Sequence, residues 1–125
     1  TGWTYRLDDI PEVLAASSVL VHASIEPEPF GLVLIEAMAC ARPVVATAAG
    51  GVLDIVDDGT TGILVTPGEA GETADAVLRI LSDPSLASAM GRAGRRKAER
   101  EYDLPTYARR VESVYRSVLS GARAA

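Results

Sequence analysis

Pro43-Val44-Val45-Ala46-Thr47 is a short, continuous, β-branched apolar run. Such a run is expected to be a strand covered on both faces. Val19-Leu20-Val21-His22-Ala23, ending at Ser24, and Ile63-Leu64-Val65-Thr66, ending at Pro67-Gly68, repeat the pattern. The segments between them have helical length: Gly31 to Ala41, and a shorter one from Gly51 to Val56, stopped by Asp57-Asp58-Gly59. A further helix, Ile10 to Ala16, is led by Asp9 and Pro11. Strand alternating with helix dictates an α/β fold, with a Rossmann-like parallel sheet, right-handed crossovers and flanking helices.

Beyond Pro67 the strands stop. Ala74, Val77, Leu78 and Leu81 recur at the spacing of one helix face. Asp83-Pro84 supplies an N-cap and a first-turn proline for a helix running to about Glu101. Asp103-Leu104-Pro105 opens another, with Tyr107, Val111, Val114, Tyr115 and Val118 as its apolar stripe. The tail is therefore helical. At 125 residues the chain is one domain's worth, without internal repeat or linker. It opens at Thr1 rather than Met, and is expected to be an excised piece of a longer protein.

Charge is divided along the chain. Residues 1–75 hold two cations, Arg6 and Arg42, against twelve acids; residues 76–125 hold ten cations against five. The acidic front half argues against a nucleic-acid partner. Arg92, Arg95, Arg96, Lys97 and Arg100 are interrupted by Glu99 and Glu101, the pattern of a solvated helix face. Peripheral contact with anionic lipid is the alternative. No apolar run approaches the ~20 residues of a membrane span, and no stretch has the pattern of a secretory signal. The one cysteine, Cys40, excludes an internal disulfide framework and a multi-cysteine zinc site. A reducing, cytoplasmic setting fits.

The stretch Ser24 to Glu36 carries the chemistry. It begins where a buried strand ends, and ligands of open α/β sheets bind beyond the carboxyl ends of strands. Pro27 and Pro29 stiffen the loop and keep Glu26 and Glu28 out of helical geometry. Gly31 sits near the helix start, where the missing side chain lets a ligand approach the backbone. The first amides of that helix lack internal partners and, with the helix dipole, favour phosphate.

Glu36 is the only charged residue from Gly31 to Ala41. A helix so apolar is expected to be buried, and a buried carboxylate needs partners. Those partners are either loop amides or His22 within the protein, or the hydroxyls of a ligand, as Rossmann acids bind ribose. Glu28, in the loop, offers a second carboxylate. Two carboxylates flanking a phosphate-friendly helix start suit a phosphate held between two polyols, as in a nucleotide sugar.

The cluster Glu28-Pro29-Phe30-Gly31 through Glu36-Ala37-Met38-Ala39, followed by Arg42-Pro43-Val44-Val45-Ala46-Thr47 and Gly50-Gly51, resembles the C-terminal, donor-binding domain of retaining GT-B glycosyltransferases of family 4, the glycosyl transferases group 1. Glu28 and Glu36 match the family's Glu-x7-Glu motif, Asp54 through Val65 match the segment that follows, and Asp83-Pro84 through Tyr115 match the closing helices. The resemblance covers nearly all of residues 1–125, and implies a hexosyltransferase whose acceptor-binding N-terminal domain lies upstream. It implies that Glu36 binds the ribose hydroxyls and that Glu28 touches the donor sugar near the reaction centre. Backbone amides of Phe30 and Gly31 would hold the sugar, and those of Leu32 and Val33 the diphosphate. Gly50 and Gly51 would lie near the donor sugar; from the residues alone they are equally a turn. No metal and no cofactor is implied, the nucleotide sugar being a substrate. Ala41 stands where the family commonly has glycine, and Asp54 where it often has Glu.

The Arg/Lys pair that neutralises the diphosphate in this family would also lie upstream. The fragment alone is therefore expected to bind donor poorly and to be inactive. Rival readings are a sugar-nucleotide epimerase of GT-B-like fold and a non-catalytic nucleotide-sugar-binding module, since fold similarity alone does not decide function. His22, the only histidine, reads as a satisfied core residue rather than a catalytic base. Cys40 reads as an inert packed thiol. Trp3 and Tyr5 suggest an edge strand, open to pairing with a second copy in a dimer.

Overall fold

A computed structural model of the chain describes residues 9–124. In order these form α1 (Ile10–Ala16), β1 (Leu20–His22), α2 (Leu32–Ala39), β2 (Val44–Thr47), α3 (Val52–Ile55), β3 (Gly62–Val65), α4 (Ala70–Ser82), α5 (Pro84–Glu101) and α6 (Leu104–Ala124). The strands make one parallel sheet in the order β1-β2-β3, with Leu20 opposite Val44 and Val44 opposite Gly62. The Rossmann-like layering expected from the sequence is present. Trp3 and Tyr5 lie outside the described residues.

Every residue of the central strand β2 is buried. Its alternation feeds two cores. Val44 and Ala46 join Leu14, Leu34, Met38, Val52, Ile55 and Ala98 on one face. Val45 joins Val65, Ala76, Ile80 and Met90 on the other. Each fully buried Val, Leu, Ile or Met side chain contributes roughly 1.5–3 kcal/mol, so β2 anchors both layers. The expectation of burial on both faces fails for β1, where Val21 is 43% exposed, because β1 is an edge of the described sheet.

Helix α2 is shorter than the sequence suggests. Gly31 is its left-handed N-cap at φ +80°, and the chain leaves it through Ala41 at φ +55°. Helix α5 lies against α2 because Gly91 and Gly94 have no side chains; a Cβ on Gly91 would stand 2.1 Å from the Ala41 carbonyl oxygen. The same face of α5 carries Lys97, which is buried rather than solvated. Its Nζ lies 2.8 Å from Asp57 Oδ1 and 3.2 Å from the Asp54 carbonyl oxygen. Arg95 pairs with Glu99 at 2.8 Å, and Arg100 pairs with Glu101. Three of the five cations in the basic run, Arg95, Lys97 and Arg100, are thus paired within the protein.

The cap expected at Asp83 is formed, its Oδ1 accepting from the Leu86 amide at 3.0 Å, with Pro84 at the first turn of α5. Asp103 likewise accepts from the Thr106 amide at 3.1 Å, and hydrogen bonding to Thr106, chiefly from its hydroxyl and then from its amide, lowers the pKa of its carboxyl. The apolar stripe of α6 forms but faces outward: Tyr107, Val114, Tyr115 and Val118 are each more than 60% exposed. Among the described residues no helix is long and apolar enough to cross a membrane.

Candidate donor-binding site

The loops that follow β1 and β2 leave the same end of the parallel sheet. Thr47, the last residue of β2, donates its hydroxyl to the Ser24 carbonyl at 2.7 Å, which clamps the start of the first loop onto the second. Glu28 then runs alongside Gly50 as an isolated parallel bridge, and the Gly51 amide donates to the Glu28 carbonyl at 2.7 Å. This approach requires glycine. A Cβ on Gly50 would meet the Glu28 carbonyl oxygen at 2.4 Å, and one on Gly51 the Pro29 carbonyl oxygen at 2.5 Å. The structure therefore brings Gly50 and Gly51 against Glu28, Pro29 and Phe30, which spacing alone left open.

Phe30 and Gly31 lead into α2. Leu34 donates to the Gly31 carbonyl at 3.0 Å, whereas no acceptor meets the amides of Leu32 and Val33 among the described residues. No side chain caps this helix start. Phe30 is 48% and Leu32 63% exposed, so the region is open to solvent. The Phe30 ring stands edge-on to Tyr102, 6.3 Å between centroids.

The two carboxylates have different surroundings. Glu28 Oε2 lies 3.4 Å from Nε2 of His22, whose side chain is only 12% exposed. His22 is thus a mostly buried strand-end residue, but its neighbour is Glu28 rather than Glu36, and the expectation that it is satisfied fails at Nδ1, which is buried without a hydrogen-bond partner among the described residues. Glu36 departs from expectation: it is exposed, and its carboxylate makes no hydrogen bond or ion pair among the described residues. The reason is that α2 buries only the stripe of Leu34, Ala37 and Met38, and Glu36 lies off that stripe. Glu36 lines a cavity of about 290 Å³ with Ile10, Pro11, Ala39 and Cys40. Cys40 is half-buried there, its Sγ 3.8 Å from the Pro11 carbonyl oxygen.

Sequence reasoning missed the contacts behind the site. Tyr102 donates its hydroxyl to the Asp54 carbonyl at 3.2 Å, the same oxygen that Lys97 approaches. Burial pushes the Tyr102 hydroxyl pKa up, against the opposing pull of Lys97. A signal for Lys97 existed: it shares its helix face with Gly91, Gly94 and Ala98, the small residues of a close-packed contact.

Residues 1–97 match the family model for glycosyl transferases group 1. The chain belongs to that family. Over 118 residues this glycosyltransferase-family chain is 37% identical to the alpha-maltose-1-phosphate synthase of Mycobacterium tuberculosis, covering 90% of the chain and 30% of that protein. Among solved structures it superposes on Anabaena HepE in complex with UDP with a TM-score of 0.85, at 36% identity, covering 90% of the chain and 30% of HepE. It also matches the C-terminal domain of a glycosyl transferase group 1 family protein, LpcC, from Francisella tularensis. That match has a TM-score of 0.75 at 32% identity, over 83% of this chain and 53% of that one. The chain thus has the Rossmann-like architecture of the C-terminal half of a GT-B fold, and it spans about 30% of the length of the relatives first named.

Proposed function

We propose that the protein containing this chain is a retaining, family 4 glycosyltransferase that transfers a hexosyl unit from a nucleotide-diphosphate sugar to an acceptor, and that this chain is the donor-binding part. The observation that carries the reading is the open start of α2, with the unbonded amides of Leu32 and Val33, beside Glu28 and beyond the carboxyl ends of β1 and β2, with Glu36 further along the same helix. Two family relations support it: the match over residues 1–97 and the likeness to HepE, which was solved with UDP.

In this reading Glu36 accepts hydrogen bonds from the ribose hydroxyls. Its exposure and lack of internal partners leave both oxygens available for that role. Glu28 accepts from the donor sugar, and the amides of Phe30 and Gly31, with the backbone of Gly50 and Gly51, line the sugar's other side. The unpaired amides of Leu32 and Val33 point their donors at the diphosphate. Charge grows on that group as the glycosidic bond breaks, so fixed dipoles there lower the barrier electrostatically. We assign no metal or cofactor and no general base.

The acceptor-binding domain and the cations that neutralise the diphosphate belong to the remaining length of the protein, and the chain by itself binds donor weakly and catalyses nothing. The acidic balance of residues 1–75 supports this, because dipole benefits of ~0.3–1 kcal/mol at exposed sites do not offset repulsion between a diphosphate and two carboxylates. We place the protein in the cytoplasm, in keeping with its single free thiol.

A donor screen tests the reading. Full-length protein is incubated with UDP-, GDP- and ADP-sugars, with hydrolysis and transfer followed by product analysis, and the anomeric configuration read by proton NMR. One nucleotide sugar is expected to be consumed with retention. Consumption of none, conversion to an epimer, or inversion would each refute the proposal as stated.

A further inference from the structure

A second cavity, of about 410 Å³, opens at the opposite end of the sheet. Its walls include Ser18, before β1, and Pro43, immediately before β2, so it lies at the amino ends of the strands and away from Glu28 and Glu36. Arg42 and Arg92 both line it, together with the hydroxyl residues Ser18 and Ser88, and none of its lining residues is a carboxylate. In the acidic front half of this chain, Arg42 is one of only two cations.

Arg42 forms no ion pair among the described residues, and its Nε is buried without a hydrogen-bond partner. Its terminal nitrogens likewise have no acceptor among the described residues, which leaves the guanidinium free to take an anion. Arg92 has no carboxylate partner either; its Nη1 donates to the Ser88 hydroxyl, which holds the guanidinium against the cavity wall. The remaining wall, including Ile80, Leu81 and Pro84, is apolar. The volume falls within the ~300–1,000 Å³ of small-molecule sites.

We infer that this cavity binds a phosphate monoester, with the phosphoryl oxygens accepting from Arg42, Arg92 and Ser88 and the organic part against Ile80 and Leu81. Guanidinium forks match phosphate geometry and favour it over a monovalent anion. The site is independent of the donor site, since it uses no residue assigned there. Occupancy would bear directly on Ala41 and Pro43, which line the cavity within the link from α2 to β2.

The test uses full-length protein with its donor site saturated by the nucleoside diphosphate that the donor screen selects, so that phosphate is not counted there. Inorganic phosphate is titrated calorimetrically at constant ionic strength, with chloride as control, for the wild type, Arg42→Met and Arg92→Met. In parallel, sedimentation is measured with phosphatidylcholine vesicles with and without phosphatidic acid. Saturable phosphate binding, weakened about tenfold or more in each variant, is the expected result. Arg92 is on the surface, so Arg92→Met keeps the test valid if Arg42→Met fails to fold. Binding only to phosphatidic acid vesicles, lost in Arg92→Met, identifies a lipid headgroup as the source of the monoester. No saturable binding to either probe, or binding that Arg92→Met leaves unchanged, overturns the inference.

Discussion

The Gly51 amide donates a hydrogen bond of 2.7 Å to the Glu28 carbonyl. That bond joins the loop after β1, which carries the first carboxylate, to the turn after β2. Its geometry leaves no space for a side chain on either Gly50 or Gly51.

Replacing either glycine by alanine should therefore push the Glu28 loop outward. The clash is with backbone, which cannot rotate away, so a cost of about 1–3 kcal/mol is expected, as for overpacking. Gly50→Ala carries additional strain, because its φ is +59°. Urea unfolding of the full-length protein reads the stability loss, and donor KM should rise in parallel because Glu28 moves.

Lys97 and Asp57 should respond unequally to substitution. Asp57→Ala leaves a buried ammonium with only the Asp54 carbonyl, and should cost about 1–3 kcal/mol or more. Lys97→Met fills the space of the buried stem with apolar atoms, releases an Asp57 side chain that is already 54% exposed, and should lie within about 1 kcal/mol of wild type. Equal losses in the two variants would show that the charge pair, rather than burial of the ammonium, dominates.

Tyr102→Phe removes the hydrogen bond to the Asp54 carbonyl and should cost about 0.5–1.5 kcal/mol at neutral pH. The hydroxyl pKa is raised in the folded state by burial. The folded form therefore favours the protonated phenol. That contribution is fully present below the unfolded value near 10 and is lost as pH rises through the folded value. Wild type should thus lose stability faster than Tyr102→Phe in alkaline unfolding series, and the gap between them should narrow.

Ala41 holds a left-handed backbone that costs an alanine roughly 1–2 kcal/mol. Ala41→Gly relieves it, offset by about 0.4–1 kcal/mol of added chain entropy in the unfolded state. A net stabilisation of up to about 1 kcal/mol is expected, seen as a higher unfolding midpoint.

The legible part of this fold was the part dictated by continuous burial. Val44 to Thr47 reads as a two-sided strand, and it is one, because both faces are covered by helices drawn from the same chain. Asp83-Pro84 reads as a helix start because capping is local. Glu36 was misread for the opposite reason: an apolar helix implies a cover, but the cover need not come from the described residues. Lys97 was misread because charge spacing along α5 says nothing about which face meets α2. Glu28 and Glu36 stand out as a pair by loop position, by the lone charge of α2 and by the motif they match, while the contact of Glu28 with His22 and Gly51 depends on how two separate strand ends meet.

Calorimetric titration of full-length protein, with a nucleoside diphosphate and with the matching nucleotide sugar chosen by the donor screen, tests the assignment of the two carboxylates most directly. Charged hydrogen bonds of about 1.5–3 kcal/mol make Glu36→Ala weaken both ligands roughly 10- to 100-fold. Glu28→Gln should weaken the nucleotide sugar and leave the nucleoside diphosphate unchanged. Unaltered binding of both ligands in Glu36→Ala would contradict the account.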